Sequence, residues 1–268
     1  MSGRPETREA RPRLLLPVAS VGIAFLVLPL VSLVVRAPFR ALPHLFADPA
    51  VRQALWLSLL CSASAAALSL VLGLPVAWVL SRSRGAFGRL LRGLVTLPLV
   101  LPPVVGGVAL LLALGRTGVL GALLYRLSGL ALPFTTAGAV TAETFVAMPF
   151  LVLTLDAAFR GADRGLGEAA ETLGATGWYA FRHVTLPLVA PALVSGLALS
   201  WARALGEFGA TITFAGSFPG RTETMPLAVY LAVESDPEAA IAMSLLLLLV
   251  SLGVLLSLRG RWADGWAR

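Results

Sequence analysis

Six apolar stretches of roughly twenty residues or more dominate this sequence, at about 14–35, 54–80, 93–114, 135–159, 188–205 and 240–258. A helix of that length spans a bilayer's hydrocarbon core of about 30 Å. Of the 268 residues, 57% are hydrophobic and only 13% charged, too little charge to clothe a soluble domain of this size. The sequence therefore predicts an all-α integral membrane protein with one transmembrane domain over residues 1–268. It shows no soluble domain and no internal repeat.

A formal charge of +7 would suggest nucleic acid as a partner in a soluble chain. Here every basic residue is arginine, and the arginines sit mostly on alternate loops, which is a signature of membrane orientation, with no nucleic acid implied. Placing the amino terminus inside puts about 14 arginines on the inner side, among them Arg4, Arg8, Arg11, Arg13, Arg82, Arg84, Arg89, Arg92, Arg160 and Arg164. About 7 then lie outside: Arg36, Arg40, Arg52, Arg116, Arg126, Arg203 and Arg221. This predicts a multi-pass protein with both termini and the segment 160–187 in the cytoplasm. The first apolar run is about twice the length of a signal-peptide core and reads as an uncleaved span.

Within the spans, Ser58, Ser62, Ala65, Ser69 and Gly73 share one helical face, suited to close helix packing or to lining a pathway. Pro98, Pro102, Pro103, Gly106 and Gly107 must kink or break the third span. Glu143 is an ionisable group in a span, placed either between helices or high enough to meet water. Gly196, Ser200, Arg203 and Glu207 form a small-to-polar stripe. Arg203 and Glu207 can simply pair at i, i+4. Alternatively, Arg203 and the hydroxyls of Ser200, Thr211 and Thr213 help an anion pass.

An intramembrane enzyme is the competing class. It needs a carboxylate dyad or a Ser/His arrangement, whereas Glu143 and Asp156 stand about 20 Å apart along a helix and His183 has no evident partner. Cys61 is a lone thiol suited to packing. No metal-ligand spacing is present, no cofactor is implied, and no phosphate-cradling loop exists because the chain has no lysine. ATP, if it drives this protein, binds another polypeptide.

The segment 160–187 is too polar to cross a bilayer and too regular for a linker. Gly167-Glu168-Ala169-Ala170-Glu171-Thr172-Leu173-Gly174 predicts a short helix with a small-residue face, stopped or bent by Gly174. Trp178, Tyr179 and Phe181 follow, and Leu186-Pro187 enters the next span. Glu-Ala-Ala, three residues, Gly, nine residues, Val, one residue, Leu-Pro resembles the cytoplasmic coupling loop of ABC-importer permeases, which usually carry Ile where this chain has Val184. Leu97-Pro98-Leu99-Val100-Leu101-Pro102-Pro103-Val104-Val105 and Gly115-Arg116-Thr117-Gly118-Val119-Leu120-Gly121 resemble permeases for tetrahedral oxyanions. Gly206-Glu207-Phe208-Gly209-Ala210 is similar to both sulfate and molybdate permeases. Thr211-Ile212-Thr213-Phe214, continuing to Pro219-Gly220-Arg221-Thr222-Glu223-Thr224-Met225-Pro226, resembles molybdate permeases more closely.

The resemblance implies a type I ABC-importer permease fold, six transmembrane helices with a cytoplasmic coupling helix, in a bacterial or archaeal cell (inner) membrane. Glu168, Ala169, Ala170, Gly174, Leu186 and Pro187 would form the ATPase-coupling loop. The implied partners are ABC ATPase subunits on the cytoplasmic side, an external substrate-binding protein and a second permease subunit, giving a homodimer. The implied activity is ATP-driven import of molybdate by alternating access, with sulfate, thiosulfate and tungstate as alternative ions.

The arginine asymmetry makes a prediction about topology. A reporter fused near Ala86 or after Gly174 is expected to read as cytoplasmic, and one after Pro219 as external, in paired phosphatase and fluorescent-protein fusions. An external signal after Gly174 overturns this orientation.

Overall fold

The computed structural model describes residues 15–266, whose regular structure is all helical, with no strand among them. Arg4, Arg8, Arg11, Arg13 and Arg268, counted above for orientation, lie outside the described residues. In chain order the helices are α1 (Leu15–Val35), α2 (Leu42–Ala47), α3 (Pro49–Arg82), α4 (Gly85–Val100) and α5 (Pro103–Leu114). Then come α6 (Gly121–Ser128), α7 (Thr136–Gly161), α8 (Arg164–Thr172) and α9 (Gly177–Ala180). A π-helical turn, Phe181–Thr185, leads into α10 (Leu186–Leu205), followed by α11 (Gly209–Ala215), α12 (Met225–Ser235) and α13 (Pro237–Trp266). Five of these runs are long and apolar enough to cross a membrane, and the bent pair α4–α5 makes a sixth if counted as one span.

The core is α7 held between α3 and α10. In lipid no hydrophobic force pulls helices together, so close van der Waals contact through small residues has to do it. Ser58, Ser62, Ala65, Ser69 and Gly73 are all buried, so this face packs. A Cβ on Gly73 would stand 3.1 Å from Val152 Cγ2 and 3.3 Å from Met148 Cγ of α7. On the other flank, a Cβ on Gly196 would meet Leu151 at 3.0 Å and Thr154 at 3.1 Å. Ala65, Ala147 and Ala204, one from each helix, pack together. By contrast α1 is exposed along nearly its whole length and has no buried residue.

The third span is broken rather than kinked. α4 ends at Val100, and α5 leaves at 117° to it. Pro102 and Pro103 supply no N–H to continue α4, and Pro102 drives Leu101 into an extended conformation at ψ 133. α5 then packs against α11 through glycines on both sides. A Cβ on Gly107 would lie 2.6 Å from Thr213 Cβ, and one on Gly209 would lie 2.7 Å from Pro103 Cβ.

The stretch 206–239, between the fifth and sixth apolar stretches, carries α11 and α12. α11 folds back into the bundle, where Ala210 and Phe214 pack on Leu110, Ala142 and Val146. Met225 at the start of α12 donates its N–H to Ser58 Oγ at 2.6 Å. The backbone of this returning segment therefore finds partners inside protein, as non-helical chain near a membrane must.

Three helices are tied by charge near the carboxyl-terminal ends of α3 and α7. Asp156 of α7 accepts from Arg92 of α4 at 2.7 Å and from Arg160 at 2.8 Å. Arg160 also donates to the Leu80 carbonyl at 2.7 Å, which satisfies one of the open acceptors at the end of α3. Gly107→Val is expected to lower the thermal midpoint in detergent by overpacking, at a cost of about 1–3 kcal/mol. Gly253→Ala, where an added Cβ meets nothing within 4 Å, should leave it level or slightly raised. An unchanged midpoint for Gly107→Val would show that α5 and α11 do not pack this way.

Candidate functional site

The segment between α7 and α10 is built from local capping chemistry. Asp163 accepts from the Gly165 N–H at 2.8 Å and so starts α8. At the other end Gly174 takes φ +93, a conformation that side chains other than glycine's rarely tolerate. Its N–H donates to Glu171 O at 2.9 Å, and the Ala175 N–H donates to Ala170 O at 3.0 Å. This is a Schellman stop. Thr176 then caps α9 by accepting from the Tyr179 N–H at 3.2 Å.

From α9 the helix continues without a break into α10, so the fifth apolar helix begins at Gly177, well before the expected 188. It widens to a π-turn over Phe181–Thr185, with the Leu186 N–H bonded to Phe181 O, five residues back. Pro187 explains the widening, because its ring would clash with the carbonyl four residues back and it has no N–H to bond there. His183, for which the sequence shows no partner, stacks on Tyr179 with ring centroids 4.1 Å apart.

The residues expected to form a coupling loop divide into two groups. Glu168, Ala169 and Gly174 are exposed and Ala170 is half-buried, on a knob that stands off the bundle. Leu186 instead packs into the core beside Phe159, Phe181 and Val189, and Pro187 is exposed at the start of α10. The knob carries bare apolar side chains: Leu173 is 89% exposed and Trp178 70%. Between the knob and the carboxyl-terminal ends of α3 and α7 lies a cavity of about 710 Å3.

The polar stripe lies toward the opposite end of α10. Arg203 Nη2 stands 2.5 Å from Glu207 Oε2, an ion contact without hydrogen-bond alignment. Glu207 Oε1 accepts from the Ala210 N–H at 2.8 Å, so the same carboxylate also anchors the start of α11. Ser200, Glu207 and Thr211 are buried within the chain, and the Ser200 and Thr211 hydroxyls have no partner among the described residues. Thr213 is half-buried and donates to Gly209 O at 2.8 Å. Arg203 keeps 28% of its side chain exposed. Of the five candidates, then, Arg203 and Thr213 retain open surface.

Glu143 takes the interior of its two possible positions, at 1% exposure on α7. Asp156, near the other end of that helix, belongs to the arginine cluster, so the two carboxylates form no dyad. Among the described residues no group of three or more His, Cys, Asp or Glu is placed to hold a metal ion. Sequence reading missed the bond between Arg92 and Asp156, 64 residues apart. The i, i+4 spacing of Asp156 and Arg160 was the only local signal for that cluster.

Comparison with known proteins follows the same lines. A family model described as binding-protein-dependent transport system inner membrane component matches residues 69–264. The molybdenum transport system permease protein ModB of Mycobacterium tuberculosis is 47% identical over 254 residues, covering 95% of this chain and 96% of the relative. The protein of the same name from Escherichia coli K12 is 40% identical over 210 residues, 78% of this chain and 92% of the relative. Among solved structures, a bacterial ABC transporter involved in import of the acidic polysaccharide alginate matches with a TM-score of 0.73 at 20% identity, covering 94% of each chain, which shows a shared fold. By the family match and by identity to these relatives over most of its length, the chain belongs to the inner membrane components of binding-protein-dependent transport systems.

Proposed function

We propose that this chain is the membrane-spanning permease subunit of an ATP-driven importer, and that the ion it passes is molybdate. The observation that carries the reading is 47% identity over 95% of the chain to a permease named for molybdenum transport. The exposed knob of α8 supports it physically, since apolar side chains on a rigidly capped helix outside the spans need a protein to cover them. Its partners are ABC ATPase subunits on the knob, an external binding protein, and a second copy of this chain in a homodimer. Both termini lie in the cytoplasm of a cell whose inner membrane the chain crosses.

Glu168, Ala169, Ala170 and Gly174 form the surface that docks on the ATPase, and Leu186 and Pro187 transmit its movement into α10. One continuous helix runs from Gly177 to Leu205, about 43 Å at 1.5 Å per residue, and connects the knob to Arg203. Arg203 is the residue of the stripe that meets the anion, with Thr213 beside the same route. Ser200, Glu207 and Thr211 support it from the protein side. Glu207 holds Arg203 so that the guanidinium offers donors without trapping the ion.

Ala169 is exposed, so Ala169→Trp strains nothing inside the chain. It is expected to insert normally but to lose co-purification of the ATPase, or to bind it without uptake. Unchanged ATPase binding together with unchanged uptake would reduce the segment to a linker.

A second test separates the two roles of Arg203. Arg203→Ala leaves the Glu207 carboxylate buried without its charge partner and should destabilise by about 3–5 kcal/mol. Adding Glu207→Gln keeps an acceptor for the Ala210 N–H and should return the thermal midpoint toward wild type while uptake stays lost. Recovery of uptake together with stability would leave Arg203 with a pairing role alone.

A further inference from the structure

The connection from α5 to α7 is apolar for chain that lies between spans. Val119, Leu123 and Leu127 recur every four residues, which puts them on one face of α6 and the turn before it. All three are exposed, Val119 at 85% and Leu127 at 79%. The segment is fastened to the end of α5. After Gly115 the chain turns back, so that the Val119 N–H donates to Leu112 O at 3.0 Å and the Leu120 N–H to Ala113 O at 2.8 Å. Val119 therefore stands level with the last turn of α5, where Leu112 is also exposed. Tyr125, on the opposite face of α6, accepts from Arg116, whose guanidinium carbon lies 4.2 Å from the ring centroid. Farther on, Leu132 returns to the cluster on which Leu111 and Leu114 pack. From Pro103 to Ala142 the chain has no aspartate or glutamate, and its charges are Arg116 and Arg126.

We propose that α6 is an interfacial helix, lying along the membrane surface remote from α8 with Val119, Leu123 and Leu127 set into the acyl boundary of that leaflet. The side follows from connectivity, since α7 separates α6 from α8 and one crossing puts them at opposite surfaces. Two observations favour lipid over a protein partner. The face continues the exposed side of α5 at Leu112, so it is contiguous with the surface of a membrane-embedded helix. It is also built of valine and leucine, without the aromatic anchors that centre protein interfaces. The charge beside it is wholly positive, which suits lipid phosphates, and Arg126 is exposed next to Leu127. An α6 seated in this way fixes the end of α5, whose 12 residues reach about 18 Å and do not cross a bilayer alone.

The experiment uses the full-length chain in vesicles of phosphatidylcholine and phosphatidylglycerol, with a fluorophore on one added cysteine: Val119→Cys, Leu123→Cys, Leu127→Cys or Ser128→Cys. All four positions are exposed, and Cys61 is buried, so the chain without an added cysteine gives the labelling background. A nitroxide high on the lipid acyl chain is expected to quench the labels at 119, 123 and 127 about threefold more than the label at 128. Iodide in the water should quench in the reverse order. Equal iodide quenching at all four positions would put the face in water and overturn the proposal. Shielding from both quenchers that depends on an added external binding protein would also overturn it, by assigning the face to that protein. Efficient disulfide formation between two copies through Leu127→Cys would overturn it in favour of a contact between permease subunits.

Discussion

The close approach of α3 and α10 to α7 carries the rest of this structure. Two long apolar helices in hydrocarbon gain nothing by meeting unless their surfaces fit. Gly73 and Gly196 allow that fit from opposite sides, where an added Cβ would meet Val152 at 3.1 Å and Leu151 at 3.0 Å, closer than ordinary van der Waals contact. The alanines at 65, 147 and 204 bring all three backbones together at one level. Once α7 is fixed, Glu143 is enclosed, Asp156 is brought to Arg92 of α4, and α11 has a surface to fold back onto. Larger residues on these faces would leave a set of separate spans.

Charge and aromatic contacts finish what packing begins. Asp156 gathers Arg92 and Arg160, and Arg160 reaches the last carbonyls of α3, so α3, α4 and α7 share one anchor. Beside it Trp78, Phe159 and Phe181 pack edge-on, with Trp78 to Phe181 centroids 4.7 Å apart. Phe181 belongs to the π-turn, and Leu186 packs on the same cluster. The knob is therefore fastened to the bundle at its carboxyl end by buried aromatics, while its Glu168–Gly174 face stays free.

The same helix ends at the Arg203–Glu207 contact, where one carboxylate does two jobs. Its Oε2 faces the guanidinium and its Oε1 holds the Ala210 N–H. Tilt of α10 and entry of α11 are thus coupled through Glu207. α11 in turn lies against the broken third span through Gly107 and Gly209. A chain of contacts runs from the α8 knob to the two segments most unlike ordinary transmembrane helices, the broken α4–α5 pair and the returning α11.

Much of this was legible in the sequence because it is local. Apolar length announced the spans, Gly174 announced the stop of α8, and Pro102-Pro103 announced the break in the third span. Capping, proline geometry and hydropathy act within a few residues, so their outcome is written in order along the chain. The family resemblance, too, rests on short stretches of that kind. The sequence did not decide whether Ser58 to Gly73 packs or lines a pathway, where Glu143 points, or that 206–239 folds back as helices. It gave no sign that Arg92 meets Asp156 or that a cavity opens behind α8. Those features depend on how helices rotate and tilt against one another. Spans that are apolar nearly all round carry little preference for one rotation, so only contact between faces far apart in the chain could choose it.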